Sequence, residues 1–315
     1  MDAAIALGER GRGRTAPNPN VGCVIVQSGA VAGRGWTQVG GRPHAEAVAL
    51  AQAGAGARGA IVYVTLEPCA HDSPRGPACA DLLVAAKPER IVVAAGDPDP
   101  RTDGAGIERL RAAGLNVDVG VQADAAERSM AGFFSRVRLG RPFVTLKLAL
   151  SIDGMIAAAS GESKWITGEE ARAHAHLERA RADMILVGRG TFEADNPRLD
   201  VRLPGLEDRS PRRALLTTGP PIEGWTRLSS PQAIRTLTDV NDLLVEGGAE
   251  TAASFLAGDL VDRLLIYRAP ILIGDGKPGL APAALGALAD AHGRWRLADT
   301  RELGSDTLQV YERTR

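Results

Sequence analysis

Apolar and polar positions fall along the chain in short blocks whose period switches between that of a helix and that of a strand. Residues 2–9 have the pattern of an amphipathic helix that stops near Gly11 and Gly13, and Ala16-Pro17-Asn18-Pro19-Asn20 predicts a turn. The apolar run 21–26 predicts a strand, Ser28-Gly29 a hairpin, and residues 30–36 the returning strand. After a loop to Pro43, the run Ala45, Ala47, Val48, Ala49, Leu50, Ala51 holds strong helix formers and no breaker before Gly54, so a helix begins near His44. Strand 60–65, helix 79–87, strand 90–95 and helix 105–113 then alternate, followed by a short strand around 117–121 and a helical stretch 124–137. Such alternation predicts a sheet covered by helices.

Leu139-Gly140-Arg141-Pro142 is the best boundary, dividing the chain into domains 1–141 and 142–315. Beyond it, residues 143–150 read as a strand with one apolar and one mixed face, turned by Asp153-Gly154. A polar loop, Ser163-Lys164-Trp165-Ile166-Thr167-Gly168, leads to a helix over 169–182. Strands follow at 184–187, 214–217, 242–245 and 263–267, with a helix at 250–257 and a final strand pair near 294–312. Val187-Gly188-Arg189-Gly190-Thr191 and Val245-Glu246-Gly247-Gly248-Ala249 are glycine-bearing turns after strands. Glycine lets backbone N–H groups approach an anion, and a helix from Glu250 would present its N-terminus to a phosphate. Glycine after a strand is more often a plain turn residue. The first strand carries no G-x-G-x-x-G, which disfavours a standard Rossmann dinucleotide site.

Composition narrows the function classes. A length of 315 residues, with 44 % apolar and 24 % charged, suits two soluble domains that each bury a core. A formal charge of -1 and 4 % aromatics argue against an extended nucleic-acid surface. The first residues lack an apolar core of signal-peptide length, and no uncharged apolar run reaches membrane-spanning length, so no membrane partner is expected. Three cysteines without a disulfide framework fit a reducing cytoplasm, and Cys23, inside an apolar strand, reads as a small buried hydrophobe.

The remaining two cysteines carry the chemistry. His44, Cys69 and Cys79 offer one imidazole and two thiolates, a ligand set for zinc that leaves the fourth position to water. Glu46, two residues from His44, is an unattached carboxylate in the same small volume. It can take a proton from water activated by the metal and deliver it to a leaving amine. Zinc deaminases use an H-x-E motif followed by P-C-x-x-C, with the Glu off the metal. Here Pro43-His44-Ala45-Glu46 and Pro68-Cys69 match, but nine residues, 70–78, separate the cysteines.

The order Pro17-Asn18-Pro19-Asn20-Val21-Gly22-Cys23, Pro43-His44-Ala45-Glu46, Thr65-Leu66-Glu67-Pro68-Cys69 and Gly96-Asp97-Pro98-Asp99-Pro100 resembles the deaminase half of the bifunctional riboflavin biosynthesis deaminase-reductase family. The resemblance implies a cytidine-deaminase-like αβα sandwich with a mixed sheet. It implies His44, Cys69 and Cys79 as zinc ligands, Glu46 as proton shuttle, and Asn20 and His71 close to the substrate. The chain departs from the family in the loop Ala70-His71-Asp72-Ser73-Pro74-Arg75-Gly76-Pro77-Ala78, which is longer and poorer in Gly and Thr.

Residues 142–315 resemble the family's reductase half, through Leu146-Lys147-Leu148-Ala149, Ser151-Ile152-Asp153-Gly154, residues 160–167, Gly190-Thr191, Ala194-Asp195-Asn196-Pro197, and Leu199 with Arg202. The fold implied is an α/β domain like dihydrofolate reductase, and the cofactor NADPH. Carried over by position, Ser163, Arg179, Leu199, Arg202 and Glu246 would hold substrate. Ala149, Trp165, Thr191, Asp195, Thr218 and the turn Gly248, Ala249, Glu250, Thr251, Ala252, Ala253, Ser254 would hold NADPH. The expected function is deamination of 2,5-diamino-6-(5-phosphoribosylamino)pyrimidin-4(3H)-one followed by reduction of its ribosyl group to ribityl, in a chain that could assemble as a homo-oligomer. Two rival readings share the zinc motif: a nucleoside or tRNA deaminase with an unrelated C-terminal domain, and a docking module with one inactive domain.

Overall fold

The first half of the chain folds around a strand hairpin whose two faces carry different helices. The computed structural model describes residues 1–71, 73–281 and 288–315, in two units, Met1–Gly140 and Arg141–Arg315. In the N-terminal unit α1 (Asp2–Gly8) precedes the hairpin β1 (Gly22–Gln27) and β2 (Ala30–Trp36). There follow α2 (Ala45–Ala53), β3 (Ile61–Leu66), α3 (Cys79–Ala86), β4 (Arg90–Ala95), α4 (Ala105–Ala112), β5 (Asn116–Val119), α5 (Ala123–Ser129) and α6 (Ala131–Leu139). The sheet order is β2-β1-β3-β4-β5. β1 runs antiparallel to β2 and β3, whereas β3, β4 and β5 are parallel, so the sheet is mixed.

Close backbone approach shows which helix covers which face. A Cβ on Gly22 would lie 1.8 Å from the Ala4 carbonyl oxygen of α1, and one on Gly35 would lie 2.3 Å from the Ala45 oxygen of α2. Gly35 pairs with Cys23, the neighbour of Gly22, so α1 and α2 cover opposite faces. Between these layers Cys23, Ile25, Val62, Val64, Ile91 and Val93 are fully buried. The Cys23 environment is thus an apolar core. The helical stretch expected over 124–137 is divided at Met130, whose φ of -111° and ψ of 22° leave the helical region. Met130 is buried, with its sulfur 4.0 Å from the Thr65 hydroxyl, and the bend lets Phe133 and Phe134 enter the core.

The C-terminal unit contains β6 (Phe143–Leu150), β7 (Met155–Ala158), α7 (Glu169–Ala180), β8 (Met184–Gly188), α8 (Arg189–Asp195), β9 (Arg212–Leu216), β10 (Thr226–Leu228), β11 (Asp242–Val245), α9 (Ala249–Ala257), β12 (Arg263–Arg268), β13 (Gly276–Pro278), β14 (Trp295–Leu303) and β15 (Asp306–Arg313). Eight of its described strands form one sheet in the order β10-β9-β8-β11-β6-β12-β15-β14. From β10 to β12 all neighbours are parallel, and β15 and β14 add an antiparallel edge. β6 has the two faces expected: Val144, Leu146 and Leu148 enter the core, while Lys147 on the other face is partly exposed. The glycine turn at residues 188–191 opens the short helix α8. The brief strands β7, β10 and β13, of four, three and three residues, were not expected from the sequence. At the start of β6, Asp262 takes two hydrogen bonds from the Arg141 guanidinium at 2.7 and 2.8 Å and one from the Val144 amide. Among the described residues no helix is long and apolar enough to cross a membrane.

Because α2 rests directly on β2, Gly35→Ala should overpack this contact and destabilise the N-terminal unit by about 1–3 kcal/mol. A lowered midpoint in denaturant unfolding would show it. An unchanged midpoint would mean that the helix lifts off the strand without cost.

Candidate active sites

His44, Glu46, Cys69 and Cys79 reach one another from three separate elements. His44 is the N-cap of α2, with an extended backbone of φ -71° and ψ 163°, and Glu46 lies in the first turn. Cys69 follows β3, and Cys79 is the first residue of α3. The ligand atoms of His44, Cys69 and Cys79 all lie within 4.8 Å of one another. His44 Nδ1 is 3.5 Å from Cys69 Sγ and 3.3 Å from Cys79 Sγ. A tetrahedral zinc with ordinary Zn–N and Zn–S lengths would set these separations at about 3.5 Å. Donor chemistry and spacing therefore both fit zinc.

The electrostatics agree with that fit. The hydrogen bond from Cys79 and the His44 ring outweigh burial and hold the Cys69 thiol at about 3. Cys79 is pushed up, first by sharing its proton with Cys69 and then by burial. A metal cation held by these two thiols and the His44 ring would take the place of such a shared proton. Glu46 is only 3 % exposed, and burial raises its carboxyl above the usual range although the His44 charge opposes this. A buried carboxyl whose pKa is raised holds a proton more readily than an exposed one, as a general acid-base group must.

Around this cluster lies a cleft of about 340 Å³ lined by residues of the turn 17–21, by His71, Asp97 and Asp99, and by Arg42, Arg75, Arg101 and Arg136. His71 Nδ1 is 3.4 Å from the Thr102 hydroxyl. Burial pushes the Asp97 carboxyl up to about 7. Of the two asparagines in the Pro-Asn-Pro-Asn turn, Asn18 lines the cleft, with its amide nitrogen 3.3 Å from His44 Nε2. Asn20 is buried and spends its amide on the carbonyls of Gly8 and Ser129, so its side chain serves the turn. Asp72, in the loop expected beside the metal, lies outside the described residues.

In the C-terminal unit two clefts open where β6, β8 and β11 end. The larger, about 930 Å³, is lined by Ala149, Ser163, Thr191, Asp195, Glu246 and, from the turn and first part of α9, Gly248, Ala249, Glu250, Thr251 and Ser254. Gly248 N–H donates to the Thr191 hydroxyl at 3.1 Å. The smaller, about 210 Å³, gathers Ser163, Trp165, His176, Arg179 and Arg202. Lys147 lines both. Glu246 accepts two hydrogen bonds from Arg179, at 2.7 and 2.9 Å, and lies 3.8 Å from Lys147 Nζ.

Other expected positions fall elsewhere. Trp165 lies with the arginines in the smaller cleft, 68 % exposed, under the Arg172 guanidinium. Leu199 is buried in an apolar cluster, and Ala252 is fully buried in the core. Thr218 and Ala253 line neither cleft, since β9 ends at Leu216, which does reach the larger one, and the Thr218 carbonyl is taken by Arg227.

Comparisons with known proteins agree with this geometry. A model described as the RibD C-terminal domain matches residues 142–309, and one described as the cytidine and deoxycytidylate deaminase zinc-binding region matches residues 1–95. The riboflavin biosynthesis protein RibD of Haemophilus influenzae is 38 % identical over 99 % of this chain and 96 % of its own. That of Mycobacterium tuberculosis is 40 % identical over 98 % and 95 %. Among solved structures, RibD of Acinetobacter baumannii superposes with a TM-score of 0.90 at 36 % identity, covering 100 % of this chain and 98 % of that one. A deaminase/reductase from Thermotoga maritima gives 0.91 at 30 % identity, covering 100 % and 97 %.

This chain belongs to the riboflavin biosynthesis deaminase-reductase family. It is a bifunctional enzyme with a zinc-dependent deaminase half and an NADPH-dependent reductase half, acting in riboflavin biosynthesis. The match over residues 142–309 removes the reading with an unrelated C-terminal domain. In this deaminase-reductase, sequence reasoning passed over Asn18, Asp97, Lys147 and His176. Asp97 and Lys147 stood inside quoted motifs, but neither carries a spacing signal that marks it as facing a cleft. His176 is one of several polar residues on α7, and only packing shows which side it presents.

Burial alone would raise the Glu246 carboxyl, but the Arg179 charge, its hydrogen bonds and Lys147 outweigh this and hold it at about 2. Its folded value is depressed, so it stabilises the fold above the unfolded pKa of about 4.5 and loses that contribution as pH falls toward 2. The effect is on the order of 3 kcal/mol. Urea unfolding of wild type between pH 5 and 2 should show a steeper loss than Glu246→Gln. Parallel curves would remove this ion pair from the acid response.

Proposed function

We propose that residues 1–141 deaminate 2,5-diamino-6-(5-phosphoribosylamino)pyrimidin-4(3H)-one and residues 142–315 reduce the ribosyl group of the product to ribityl. The observation that carries this reading is the pairing of a His-Cys-Cys cluster and a buried carboxyl with an arginine-lined mouth in the same cleft. His44, Cys69 and Cys79 hold the metal. Zinc, when bound, supplies a Lewis acid that lowers the pKa of water to about 7. Glu46 moves the proton: its carboxylate accepts one on the side of the attacking water and returns it to the amine nitrogen that leaves as ammonia. His71 and Asn18 hold the pyrimidine edge, and Asn20 fixes the turn that carries Asn18. Arg42, Arg75, Arg101 and Arg136 give the substrate phosphate a cationic mouth, where a guanidinium fork matches phosphate geometry.

For reduction, Ala149, Thr191, Asp195 and the turn from Gly248 to Ser254 hold the cofactor along the larger cleft. Its glycines bring backbone N–H groups to the cofactor's phosphates, and the buried Ala252 seats α9 behind them. NADPH, when bound, supplies the hydride. Ser163, Arg179 and Arg202 hold the substrate in the smaller cleft, with Trp165 at its rim and Leu199 as its buried support. Lys147, shared by both clefts, donates a hydrogen bond to the sugar oxygen that gains negative charge as the carbonyl is reduced. Glu246 keeps Arg179 and Lys147 in place. Two thiols kept for a metal suit a reducing cytoplasm, and the near-zero net charge suits a small-molecule substrate.

Separate variants test each role. Cys79→Ser should lose the zinc, about one per chain in wild type by metal analysis, together with ammonia release. Glu46→Gln should keep the zinc and slow ammonia release by about 10^2 to 10^4, while NADPH oxidation with the deaminated substrate stays near the wild-type rate. Lys147→Met should slow NADPH oxidation by at least about 10^2. Normal ammonia release by Glu46→Gln would assign the proton to another group, and normal NADPH oxidation by Lys147→Met would do the same for the reductase.

A further inference from the structure

Glu67 is 3 % exposed, and among the described residues no cation is paired with it. Its carboxylate instead collects four backbone N–H groups. Oε2 accepts from Asp97 at 3.3 Å and Gly104 at 3.1 Å, and Oε1 accepts from Gly106 at 2.9 Å and Ile107 at 3.1 Å. These donors stand at both ends of the loop 97–104 and in the first turn of α4. The loop places Asp97, Asp99 and Arg101 on the wall of the deaminase cleft, and its buried Thr102 faces His71. Two residues after Glu67 comes Cys69. One side chain therefore joins the strand end that carries a metal ligand to the loop that lines the substrate cleft.

A second observation shows how closely the two segments are held. A Cβ on Gly106 would lie 2.0 Å from the Pro68 carbonyl oxygen and 3.1 Å from Glu67 Oε1. The backbone of α4 thus touches that of Pro68, and the segments cannot slide without breaking the Glu67 hydrogen bonds. A carboxylate that takes four donors on two oxygens imposes one register, because Oε2 must reach both ends of the loop while Oε1 holds the first turn of α4.

We infer that Glu67 is a positioning residue of the deaminase site: it holds Asp97, and through Thr102 also His71, at a set distance from Cys69. It touches no substrate and acts on recognition through the loop. This rests on the reading of the N-terminal cleft as the deaminase site. An amide at this position keeps the size of the side chain but turns an NH2 group toward two N–H donors, so about half of the hydrogen bonds are lost.

Glu67→Gln should raise KM for the diaminopyrimidinone by about 10- to 100-fold, the loss expected for a charge-assisted hydrogen-bond set, with kcat within about threefold of wild type. Zinc content by metal analysis and NADPH oxidation with deaminated substrate should stay at wild-type levels. Thr102→Val, which releases only His71, should raise KM in the same direction. If Glu67 works through this loop, the double variant should be no worse than the more affected single variant within about twofold. Should Glu67→Gln fail to fold, Glu67→Asp, which keeps the charge but reaches about 1.5 Å less, should show the same rise in KM. An unchanged KM in a folded, zinc-loaded variant would overturn the inference. So would loss of zinc, or multiplication of the two single effects. A wild-type enzyme that releases no ammonia from this substrate would overturn the reading of the cleft as well. A wild-type enzyme that does so while Glu67→Gln keeps its KM overturns the positioning alone.

Discussion

Both halves of this enzyme depend on strands that run parallel and end together. Where β3 and β4 stop side by side, their chains must turn away, and the gap between the departing segments is filled by Cys69, Glu67, Asp97 and the loop that follows. The ends of β6, β8 and β11 open the reductase clefts in the same way. The carboxyl ends of parallel strands are the usual place for a ligand crevice in open α/β sheets. The family's two unrelated chemistries therefore occupy equivalent places in two different sheets.

Three buried carboxylates show how differently the fold treats charge. Glu46 is buried without a strong cationic partner, and burial raises its pKa, which suits the proton transfer proposed for it. Glu67 is surrounded by four backbone N–H donors, which fix its geometry. Glu246 is enclosed by Arg179 and Lys147, so it stays ionised and orients two cations. Burial costs each of them desolvation energy. The neighbour supplied in return decides whether the residue moves a proton, sets a distance or aims a charge.

The arginines divide in a similar manner. Arg141 is buried against Asp262 and is spent on anchoring β6. Arg202 is half exposed and held by Asp200, within reach of the smaller cleft. The first is part of the fold, and the second has surface left for an anion.

Much of this was legible in the order of residues. Local periodicity and helix formers predicted most strands and helices, because those signals act over a few neighbouring residues. The H-x-E spacing and the two cysteines marked a zinc site, because ligand chemistry limits which side chains can serve. Asn18 and Asn20 could not be told apart by the same means. They share one turn, and only the packing of that turn against Gly8 and Ser129 makes one structural and the other part of the cleft. The same holds for Lys147, Glu67 and the break at Met130. By itself the sequence determined which chemistry the chain contains and roughly where along it the main elements fall. The tertiary structure alone decided which polar groups share a cleft, since contacts such as Glu67–Asp97, His71–Thr102 and Asn20–Ser129 join residues 30 to 109 positions apart and leave no local pattern.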